Sequence, residues 1–595
     1  MQYDTWQSLP AMFFEQAARH PGRPYLRDKH DGAWRTLTYG EVADTVRRLA
    51  AGLVANGLAA GERVALIAEN RPEWTIADLA IMAAGGISVP AFTTNTVADH
   101  AHIIGHSGAI GAIVSTRALA ERVVPAALKT GGLRFLIALE PIGIEQNPGF
   151  RILDWKNLIA SGAADDAEVA RRIAAQRRTD TACFIYTSGT GGAPKGVMLS
   201  HGGVLANCKG AYHLLKSFDL GRETFLSFLP LSHSYEHTVG QFFPMTIGAE
   251  VWFAEGADKL LDNAAEARPT IMTAVPRLYE AMRGKIERQM ARATPSKKRW
   301  FGRAVALGRK KYERRKMSFR ERIENCLAEL LVRRKIRQRF GGRLKAMVSG
   351  GAALNYEVGV YFTALGLRIL QGYGQTEFTP VISCNPPQDC RIDTVGKALD
   401  SVELKIAEDG EILVRGEAMM NGYWRDDAAT EAALKDGWLH TGDIGTIDED
   451  GYLRITDRKK DIIVLSGGDN VSPARIEGIL TLQPEIAQAM VHGDKHPHLV
   501  ALLVPEEGYA QAWAKQNGKP NDLSVLAKDP AFQQAMAAGV ERANAMLNNL
   551  ERIRKFAVVD APFTTENEML TASLKIRRHK IREKFRATLE ALYGR

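Results

Sequence analysis

The sequence predicts an α/β protein with a large N-terminal domain, residues 1–457, and a smaller α+β C-terminal domain, residues 458–595. Helical and strand patterns alternate over about the first 280 residues, which is typical of sheets covered by helices. Between about residues 393 and 457, Asp-Gly pairs lie between short apolar runs, which indicates a small antiparallel β subdomain. After Asp457–Asp461 a mixed pattern returns over a stretch long enough for a separate domain.

The first elements follow from local patterns. Thr38-Tyr-Gly-Glu41 has the spacing of a helix capping box. The apolar residues that follow it share one helical face: Val42, Val46, Leu49 and Leu53. Arg63–Ala68 then predicts a buried strand, Ile76–Met82 a helix, and Ile87–Phe92 a second strand.

Two Asp-Gly pairs define the β subdomain. Val402–Ala407 and Glu411–Arg415 flank Asp409-Gly410, and Asp450-Gly451 lies between two further apolar runs. Because Asp-Gly favours the tight turns of hairpins, each pair predicts two antiparallel strands.

Composition and cysteine usage exclude several protein classes. The chain of 595 residues is 45% hydrophobic and 24% charged, which excludes intrinsic disorder, collagen and a coiled-coil rod for the whole. Five cysteines without a Cys-x-x-Cys pair predict a reducing compartment. The N-terminus lacks a basic leader followed by an apolar stretch, and the most apolar window, Thr75–Phe92, is interrupted by Asp78 and Pro90. We therefore expect a cytoplasmic protein.

The net charge of +9 is concentrated in one segment. Residues 283–345 contain 23 Lys or Arg and 5 Asp or Glu, so the rest of the chain is net acidic. Apolar residues recur there at helical spacing, and aromatic residues lie nearby: Ile323, Leu327, Leu330, Leu331, Trp300, Phe301, Tyr312 and Phe319. The segment predicts either a solvated helical hairpin or a helix at an anionic membrane surface, and no recognition motif points to nucleic acid.

A glycine-rich loop follows the strand pattern Cys183–Tyr186. The stretch Tyr186–His201 reads YTSGTGGAPKGVMLSH and carries three hydroxyl groups, three loop glycines and Lys195. Glycines allow a phosphate to approach the backbone, and hydroxyl, amide and ammonium groups donate hydrogen bonds to its oxygens. A Walker P-loop does not fit, because Pro194 precedes the lysine and Gly196 follows it.

This loop resembles the phosphate loop of the AMP-forming adenylating enzymes, which reads close to YTSGTTGxPKGV. Gly191 stands where that family has a threonine. The resemblance implies that ATP is bound by Thr187, Ser188, Gly189, Thr190 and Lys195, and that Lys195 is catalytic.

Two further segments resemble family motifs. Gln371-Gly-Tyr-Gly-Gln-Thr-Glu377 is similar to the adenine and metal motif, and Ser349-Gly-Gly-Ala-Ala353 to the segment that lines the adenine and acyl pockets. The resemblance implies that Tyr373 stacks on adenine, that Thr376 contacts the α-phosphate and that Glu377 binds Mg²⁺, the last two being catalytic. It also assigns nucleotide binding to Gln371, Gly374, Gly350 and Gly351, and the acyl pocket to His233, Gly351 and Ala352.

The C-terminal half extends the resemblance. Trp438-Leu-His-Thr-Gly-Asp443 is similar to the family's W-x-x-T-G-D segment, which implies that Asp443 and Arg458 bind the ribose hydroxyls. Leu570–Arg578 resembles the terminal lysine motif and implies that Lys575 catalyses adenylation, although Ala572, Ser573 and Arg577 depart from the common pattern.

The same resemblance implies two half-reactions in two orientations of a mobile C-terminal domain. Lys460 is then the hinge, and CoA passes a loop that contains Ser466, Gly467 and Gly468. Leu229–His237 resembles the LPLxHxxE stretch of fatty acyl-CoA synthetases, which implies that His233 and His237 border the acyl channel. A hydrogen-bonded core or pocket histidine is the simpler interpretation of both, and Glu236 fits a structural role equally well.

We therefore predict a long-chain fatty acid:CoA ligase that uses ATP, Mg²⁺ and CoA. A fatty acyl-AMP ligase and a catalytically idle lipid-surface scaffold of the same fold are the alternatives. The predicted partners are a fatty acid, ATP and CoA. An anionic membrane surface, reached through residues 283–345 on the inner face of the membrane, is left open beside the solvated hairpin. A homodimer is left open.

Overall fold

The computed structural model of the chain describes residues 2–143, 149–163, 167–187, 193–565, 567–571 and 575–594. The strands up to the β subdomain are β1 (Pro24–His30), β2 (Ala33–Thr38), β3 (Arg63–Ile67), β4 (Ile87–Pro90), β5 (Ala109–Val114), β6 (Phe135–Ala138), β7 (Arg151–Asp154), β8 (Thr181–Thr187), β9 (Lys195–Ser200), β10 (Thr224–Ser227), β11 (Glu250–Phe253), β12 (Ile271–Ala274), β13 (Ala346–Ser349), β14 (Ile369–Gly374), β15 (Val381–Cys384) and β16 (Lys397–Ala398). The later strands are β17 (Glu403–Ile406), β18 (Glu411–Arg415), β19 (Gly422–Tyr423), β20 (Leu434–Lys435), β21 (Trp438–Ile447), β22 (Leu453–Arg458), β23 (Ile463–Val464), β24 (Asn470–Val471), β25 (Ile486–His492), β26 (Leu499–Pro505) and β27 (Ile553–Val558).

Helices connect and cover these strands. Those up to the basic segment are α1 (Leu9–Arg19), α2 (Tyr39–Ala55), α3 (Pro72–Ala83), α4 (Val97–Ser107), α5 (Arg117–Thr130), α6 (Trp155–Ser161), α7 (Ala167–Ala175), α8 (His201–Leu215), α9 (Phe243–Thr246) and α10 (Leu260–Ala267). The others are α11 (Pro276–Ala291), α12 (Pro295–Tyr312), α13 (Phe319–Ala328), α14 (Arg334–Arg339), α15 (Tyr356–Ala364), α16 (Asp427–Ala433), α17 (Pro473–Leu480), α18 (Glu507–Gln516), α19 (Leu523–Leu526), α20 (Pro530–Asn544), α21 (Arg578–Lys584) and α22 (Arg586–Leu592). Within the described ranges, we find no helix whose length and apolar character would let it cross a bilayer.

Two large sheets form the N-terminal part. The first has the order β19-β9-β8-β4-β3-β5-β6-β7, and the second β16-β15-β14-β13-β12-β10-β11-β1-β2. Their central strands run parallel, whereas β9 and β19 at one edge of the first sheet and β2, β15 and β16 at the edges of the second are antiparallel. The fold class predicted from the sequence is confirmed. The antiparallel strands at the edges of the two large sheets were not predicted.

The main hydrophobic core lies between these two sheets. It contains apolar faces of α1, α2, α3 and α8 together with residues from both sheets. The outer face of the first sheet packs on α4 and α5, and the outer face of the second on α10 and α15. The sheets are therefore covered on both faces, as alternating strands and helices predict.

Local predictions at α2 and in the β subdomain are also confirmed. The Thr38 and Glu41 side chains form both hydrogen bonds of a capping box at the start of α2. Strands β17 and β18 pair across Asp409-Gly410, and β21 and β22 pair across Asp450-Gly451. Gly410 and Gly451 adopt φ of 84° and 83°, a left-handed conformation that glycine adopts without strain.

The basic segment folds as α11 to α14 and is fastened to α15. The Arg333 guanidinium is buried and donates to the Ala364 carbonyl at 2.7 Å and the Ala304 carbonyl at 2.9 Å. A Cβ on Gly308 of α12 would lie 2.3 Å from the Ala364 carbonyl oxygen, so only glycine permits this approach. A π-helical turn, Glu329–Arg333, joins α13 to α14.

The C-terminal part is smaller. Its sheet has the order β25-β26-β27 and packs against α17, α20 and α22. The short hairpin of β23 and β24 precedes this sheet, and Ser466–Asp469 form its turn.

Candidate active site

A cavity of about 1280 Å³ opens where the two large sheets meet the C-terminal part. Its walls come from Thr187 and Lys195 on the first sheet, Ser349–Ala352 and Tyr373–Glu377 on the second, Arg458–Ile463 at the junction, and Lys575–Arg578. Several of these segments follow the carboxyl ends of strands, where open α/β sheets generally bind ligands.

Tyr373, Asp443 and Arg458 form one hydrogen-bonded network. The Tyr373 hydroxyl donates to Asp443 Oδ2 at 2.6 Å, and Arg458 Nε donates to Asp443 Oδ1 at 3.0 Å. Burial raises the pKa of Tyr373 well above its usual value, and the Asp443 charge raises it further. Burial lowers the pKa of Arg458, but the Asp443 carboxylate outweighs this effect, so its net shift is upward. Both carboxylate oxygens of Asp443 thus accept a hydrogen bond from a neighbouring side chain.

Backbone geometry fixes the turn that follows Tyr373. A Cβ on Gly374 would lie 1.8 Å from the Pro380 carbonyl oxygen, which also accepts a hydrogen bond from the Gln375 amide at 2.9 Å. Any side chain at position 374 would break this approach, so the glycine is required for the path from Tyr373 to Glu377.

Thr376 and Glu377 each contact a residue from another element. Thr376 Oγ1 lies 2.9 Å from Ser234 Oγ, and Glu377 Oε1 accepts a hydrogen bond from the Tyr423 hydroxyl at 2.9 Å. Lys195 Nζ lies 4.9 Å from the centre of the Tyr423 ring and 3.1 Å from Asp426 Oδ2. Sequence reasoning did not identify Ser234, Tyr423 or Asp426, and only the aromatic and acidic residues clustered at 423–427 gave a signal for the last two.

The ends of the glycine-rich loop are described, but its centre is not. Thr187 and Lys195 are paired residues of β8 and β9 and lie in the cavity wall. The predicted ligands Ser188, Gly189 and Thr190 lie outside the described residues.

Two histidines of α4 hold both ends of this loop. His102 Nε2 donates to the Pro194 carbonyl at 2.8 Å, and His106 Nδ1 lies 2.9 Å from the Tyr186 hydroxyl. Their rings stack with centres 5.2 Å apart. The i, i+4 spacing of these histidines was the available signal, and sequence reasoning missed it.

Lys575 enters the same cavity from the C-terminal part. Its backbone is held by Thr571, whose hydroxyl accepts from the Lys575 amide at 3.0 Å and whose amide donates to the Lys575 carbonyl at 2.8 Å. The side chain is open to the solvent of the cavity but has protein on many sides. Removal from bulk water lowers the pKa of its amine, the Arg458 charge lowers it further, and Asp443 and Glu377 partly oppose the shift.

His233 faces this amine as a neutral ring. Burial lowers the pKa of His233 to about 4, and the charge of Lys575 contributes. His233 Nδ1 accepts a hydrogen bond from the Tyr235 amide at 3.1 Å, which requires an unprotonated Nδ1. Gly350, Gly351 and Ala352 lie in the cavity wall with it.

Other predicted residues lie away from the cavity. The Gln371 side chain is buried and donates to the Thr394 carbonyl at 3.0 Å. Ser466, Gly467 and Gly468 are exposed in the β23–β24 turn and do not line the cavity, whereas Lys460 does.

Two further polar residues of the Leu229–His237 segment, His237 and Glu236, lie in the core. His237 Nε2 lies 2.8 Å from Asp78 Oδ2 in the core, with both side chains fully buried. Glu236 accepts hydrogen bonds of 2.6 Å from the Ser227 and Thr273 hydroxyls, and burial raises its pKa to about 7. His237 and Glu236 are therefore buried, hydrogen-bonded side chains of the core.

One carboxylate of the cavity suits a metal ion that arrives with a nucleotide. Among the residues that the structure describes, no group of three or more His, Cys, Asp or Glu side chains could hold a metal ion alone. Mg²⁺ bound to phosphates needs only one or two protein carboxylates, because phosphate and water oxygens complete its octahedral shell. Glu377 lines the cavity beside Thr376 and fits this requirement.

Comparisons with known proteins identify the family of the chain. Residues 13–424 match the family model described as AMP-binding enzyme, and residues 460–595 match the AMP-binding enzyme C-terminal domain. The long-chain-fatty-acid–CoA ligase FadD15 of Mycobacterium bovis is 35% identical over 99% of this chain and 97% of its own length. Long-chain-fatty-acid–CoA ligase 1 of Cavia porcellus is 31% identical over 95% of this chain and 83% of its own. The solved adenylation domain of a carboxylate reductase from Mycobacterium chelonae superposes with a TM-score of 0.77 at 21% identity, covering 99% of this chain and 91% of that one, which supports the fold. The chain belongs to the AMP-binding enzyme family, as its phosphate loop, its Tyr373–Glu377 turn and its C-terminal lysine indicated.

Proposed function

We propose that this chain is an ATP-dependent, AMP-forming long-chain-fatty-acid–CoA ligase. The observation that carries the proposal is the position of Lys575, which enters the cavity formed by Tyr373, Thr376, Glu377 and Arg458. Relatives that span nearly the whole chain are named long-chain-fatty-acid–CoA ligases, which supports the acid and the CoA product.

The first half-reaction makes an acyl adenylate. A fatty acid carboxylate oxygen attacks the α-phosphorus of ATP, the bond to the bridging oxygen breaks, and pyrophosphate leaves with that oxygen. Negative charge grows on the phosphoryl oxygens during this step. Preorganised donors that face such charge stabilise the transition state strongly, and one donor is worth about 3 kcal/mol.

The proposal assigns a role in adenylation to several side chains that line the cavity. Lys575 and the Thr376 hydroxyl face the α-phosphate, and Thr187, Lys195 and the undescribed loop residues bind the other phosphates. Tyr373 presents its ring to adenine, while Asp443 and Arg458 bind the ribose hydroxyls. Glu377 would hold Mg²⁺, which supplies positive charge to the phosphates when it is bound.

The second half-reaction transfers the acyl group to CoA. The CoA thiolate attacks the acyl carbonyl carbon, the bond to the phosphate oxygen breaks with its electron pair, and AMP leaves. Because Ser466, Gly467 and Gly468 lie outside the cavity while Lys575 lies inside it, the structure resembles the orientation that serves adenylation. We place the hinge for the second orientation at Lys460.

The fatty acid lies, in this proposal, beside His233, Gly351 and Ala352. A neutral His233 suits an apolar acyl pocket better than a charged ring does, since a buried charge is costly. The fatty acid itself partitions into membranes, so we also place the enzyme at an anionic membrane surface, with residues 283–345 as the contact.

Product analysis by mass spectrometry tests the function. The protein is incubated with ATP, Mg²⁺ and palmitate, with and without CoA. We expect palmitoyl-CoA and AMP with CoA present. Palmitoyl-AMP that persists despite CoA would indicate an acyl-AMP ligase, and absence of AMP with every acid from acetate to oleate would indicate an idle scaffold.

A further inference from the structure

The helix α13 and the turn after it expose a long apolar face. The exposed fractions are 80% for Phe319, 49% for Ile323, 40% for Leu327, 58% for Leu330 and 44% for Leu331. Elsewhere in the described ranges, large apolar side chains with comparable exposure occur singly or in pairs. Contiguous exposed apolar surface of this kind marks a contact with a partner or a membrane.

The spacing places these residues along one side of the helix. Phe319, Ile323 and Leu327 are separated by four residues, and Leu330 and Leu331 continue the same side through the π-helical turn. The opposite side packs against the protein, where Ala328 is buried. The helix is therefore amphipathic with its apolar face turned outward, which is the reverse of a helix that covers a core.

Acidic side chains of the segment are all engaged in ion pairs. Glu321 pairs with Lys310 at 2.8 Å and Glu324 with Arg303 at 2.5 Å, both on α12. The other three acids also pair with arginines of the segment: Glu287, Glu313 and Glu329. The negative charge of residues 283–345 is thus neutralised within the segment.

Exposed cations surround the apolar face. Lys316 precedes α13, Arg322 lies on it, and Arg334 and Lys335 follow the π-helical turn; all four are exposed, and within the described part of the chain none forms an ion pair. An apolar stripe flanked by lysine and arginine is typical of a helix that lies in the interface of an anionic bilayer.

We propose that α13 and the Glu329–Arg333 turn insert their apolar face into the headgroup region of an anionic phospholipid bilayer, with the flanking cations on the lipid phosphates. This deepens the membrane location given under the proposed function, and it names the inserting helix. A second copy of the chain suits this surface poorly, because a symmetric contact would place these cations against each other.

The attachment of the segment makes this contact useful for acyl transfer. Arg333 and Gly308 fasten it to α15, the crossover helix between β13 and β14. Strand β13 leads into Gly350–Ala352, and Tyr373 lies near the end of β14. A docked α13 therefore holds the proposed acyl pocket at a fixed position relative to the bilayer in which the fatty acid dissolves.

Cys326 offers a direct probe of insertion. It lies on the exposed side of α13, between Ile323 and Leu327, and it is the exposed one of the five cysteines. The full-length protein is labelled there with an environment-sensitive fluorophore and mixed with vesicles of 30% phosphatidylglycerol and 70% phosphatidylethanolamine, without ATP or CoA. We expect a blue shift of the emission and quenching by brominated acyl chains, but neither effect with pure phosphatidylcholine vesicles.

Variants separate insertion at α13 from other binding. The double variant Phe319→Ser, Leu330→Ser should lower the vesicle partition coefficient at least tenfold. The control Met546→Ser, Leu550→Ser removes two apolar side chains of 49% and 50% exposure from the C-terminal part and should leave it unchanged. Because all four side chains are exposed, folding should be retained, and ligase activity on soluble octanoate in the absence of vesicles checks this.

Four results would overturn the proposal. One is vesicle binding without a spectral change at Cys326, and another is equal binding by the two double variants. A concentration-dependent blue shift without vesicles, accompanied by a doubled mass in light scattering, would assign the surface to a second copy. A shift with duplex RNA but not with vesicles would assign it to nucleic acid. Since binding is measured without turnover, failure of the ligase assay leaves this test intact.

Discussion

Replacement of Lys575 by alanine should separate the two half-reactions. Lys575 is the side chain that the C-terminal part places opposite Arg458, Asp443 and Glu377. In the proposed reaction its amine faces the phosphoryl oxygens during adenylation and has no role once the adenylate exists. We therefore expect Lys575→Ala to lose adenylate formation and to keep acyl transfer from supplied palmitoyl-AMP to CoA.

The size of the loss follows from the surroundings of the amine. Removal of one preorganised donor from a transition-state site typically costs about 10²–10³ in kcat. Lys575 is open to the solvent of the cavity but has protein on many sides, so its attraction to phosphate is partly screened. We therefore expect a loss of about 10²–10³-fold.

The assay measures pyrophosphate release with palmitate and ATP, and palmitoyl-CoA formation from palmitoyl-AMP and CoA. Lys580→Ala is the matched control, since Lys580 pairs with Glu568 at 3.1 Å and does not line the cavity. A downward pKa shift also predicts that adenylation declines with rising pH at values below the ordinary lysine pKa, as the amine loses its proton. Equal loss of both half-reactions, or adenylation within threefold of the unmodified enzyme, would refute the reasoning.

Three further changes test other parts of the structure. His102→Ala removes the 2.8 Å hydrogen bond to the Pro194 carbonyl and should raise the KM for ATP about tenfold, with the KM for palmitate unchanged. His102→Gln keeps a hydrogen-bond donor and should restore the KM for ATP. An unchanged KM for ATP in the alanine variant contradicts this role. Burial raises the pKa of Asp457 to about 6, so the folded state holds this proton more tightly than the unfolded state and stability falls as pH rises from about 4 to 6. Asp457→Asn should therefore stabilise the protein by about 1–2 kcal/mol at pH 8 and not at pH 4, a range that discounts the pKa shift for the partial exposure of Asp457. Equal unfolding midpoints of the variant and the unmodified protein at pH 8 would exclude this. Gly374→Ala places a Cβ against the Pro380 carbonyl and should lower kcat/KM for ATP at least about 100-fold, with retained circular dichroism showing that the fold survives.

The sequence predicted elements whose cause is local. The capping box at Thr38 and the Asp-Gly hairpins depend on residues a few positions apart, so their patterns survive in the structure. The segments around the cavity were recognised through their resemblance to family motifs, and the structure shows that one glycine of these motifs, Gly374, lies where the backbone approaches another chain segment.

Contacts between distant segments were not predictable. The Tyr373 hydroxyl meets Asp443 across 70 positions, and the Gln371 amide is satisfied by the Thr394 carbonyl 23 positions away. No local pattern reports such a pairing, since it depends on how β14 packs against its neighbours. The motif that contains Gln371 therefore indicated a nucleotide contact, although its side chain points to the interior.

The basic segment shows the same limit. Helical spacing placed Ile323 and Leu327 on one face of a helix, but it did not indicate whether that face covers a core or is exposed at the surface. Phe301 and Tyr312 lie against the core near α15, whereas Phe319 is largely exposed. The attachment of the segment to α15 decides which apolar side chains are covered and which are exposed. That attachment depends on Gly308 and Arg333 rather than on the apolar pattern.

The contacts at the junction between the two parts fit the hinge that we propose at Lys460. Lys459 Nζ is held by Asp409 at 2.6 Å and by Glu411 at 3.1 Å, so the chain is fixed to the β subdomain up to that residue. Lys460 is the next residue, and Lys575 and Ser466–Gly468 both lie beyond it. In the proposed mechanism, a rotation about Lys460 would move Lys575 out of the cavity and bring the β23–β24 turn towards it without disturbing Asp443 or Tyr373. The amine and the CoA thiol would then reach the acyl phosphate in turn, so that adenylate formation and pyrophosphate release would precede the attack by CoA.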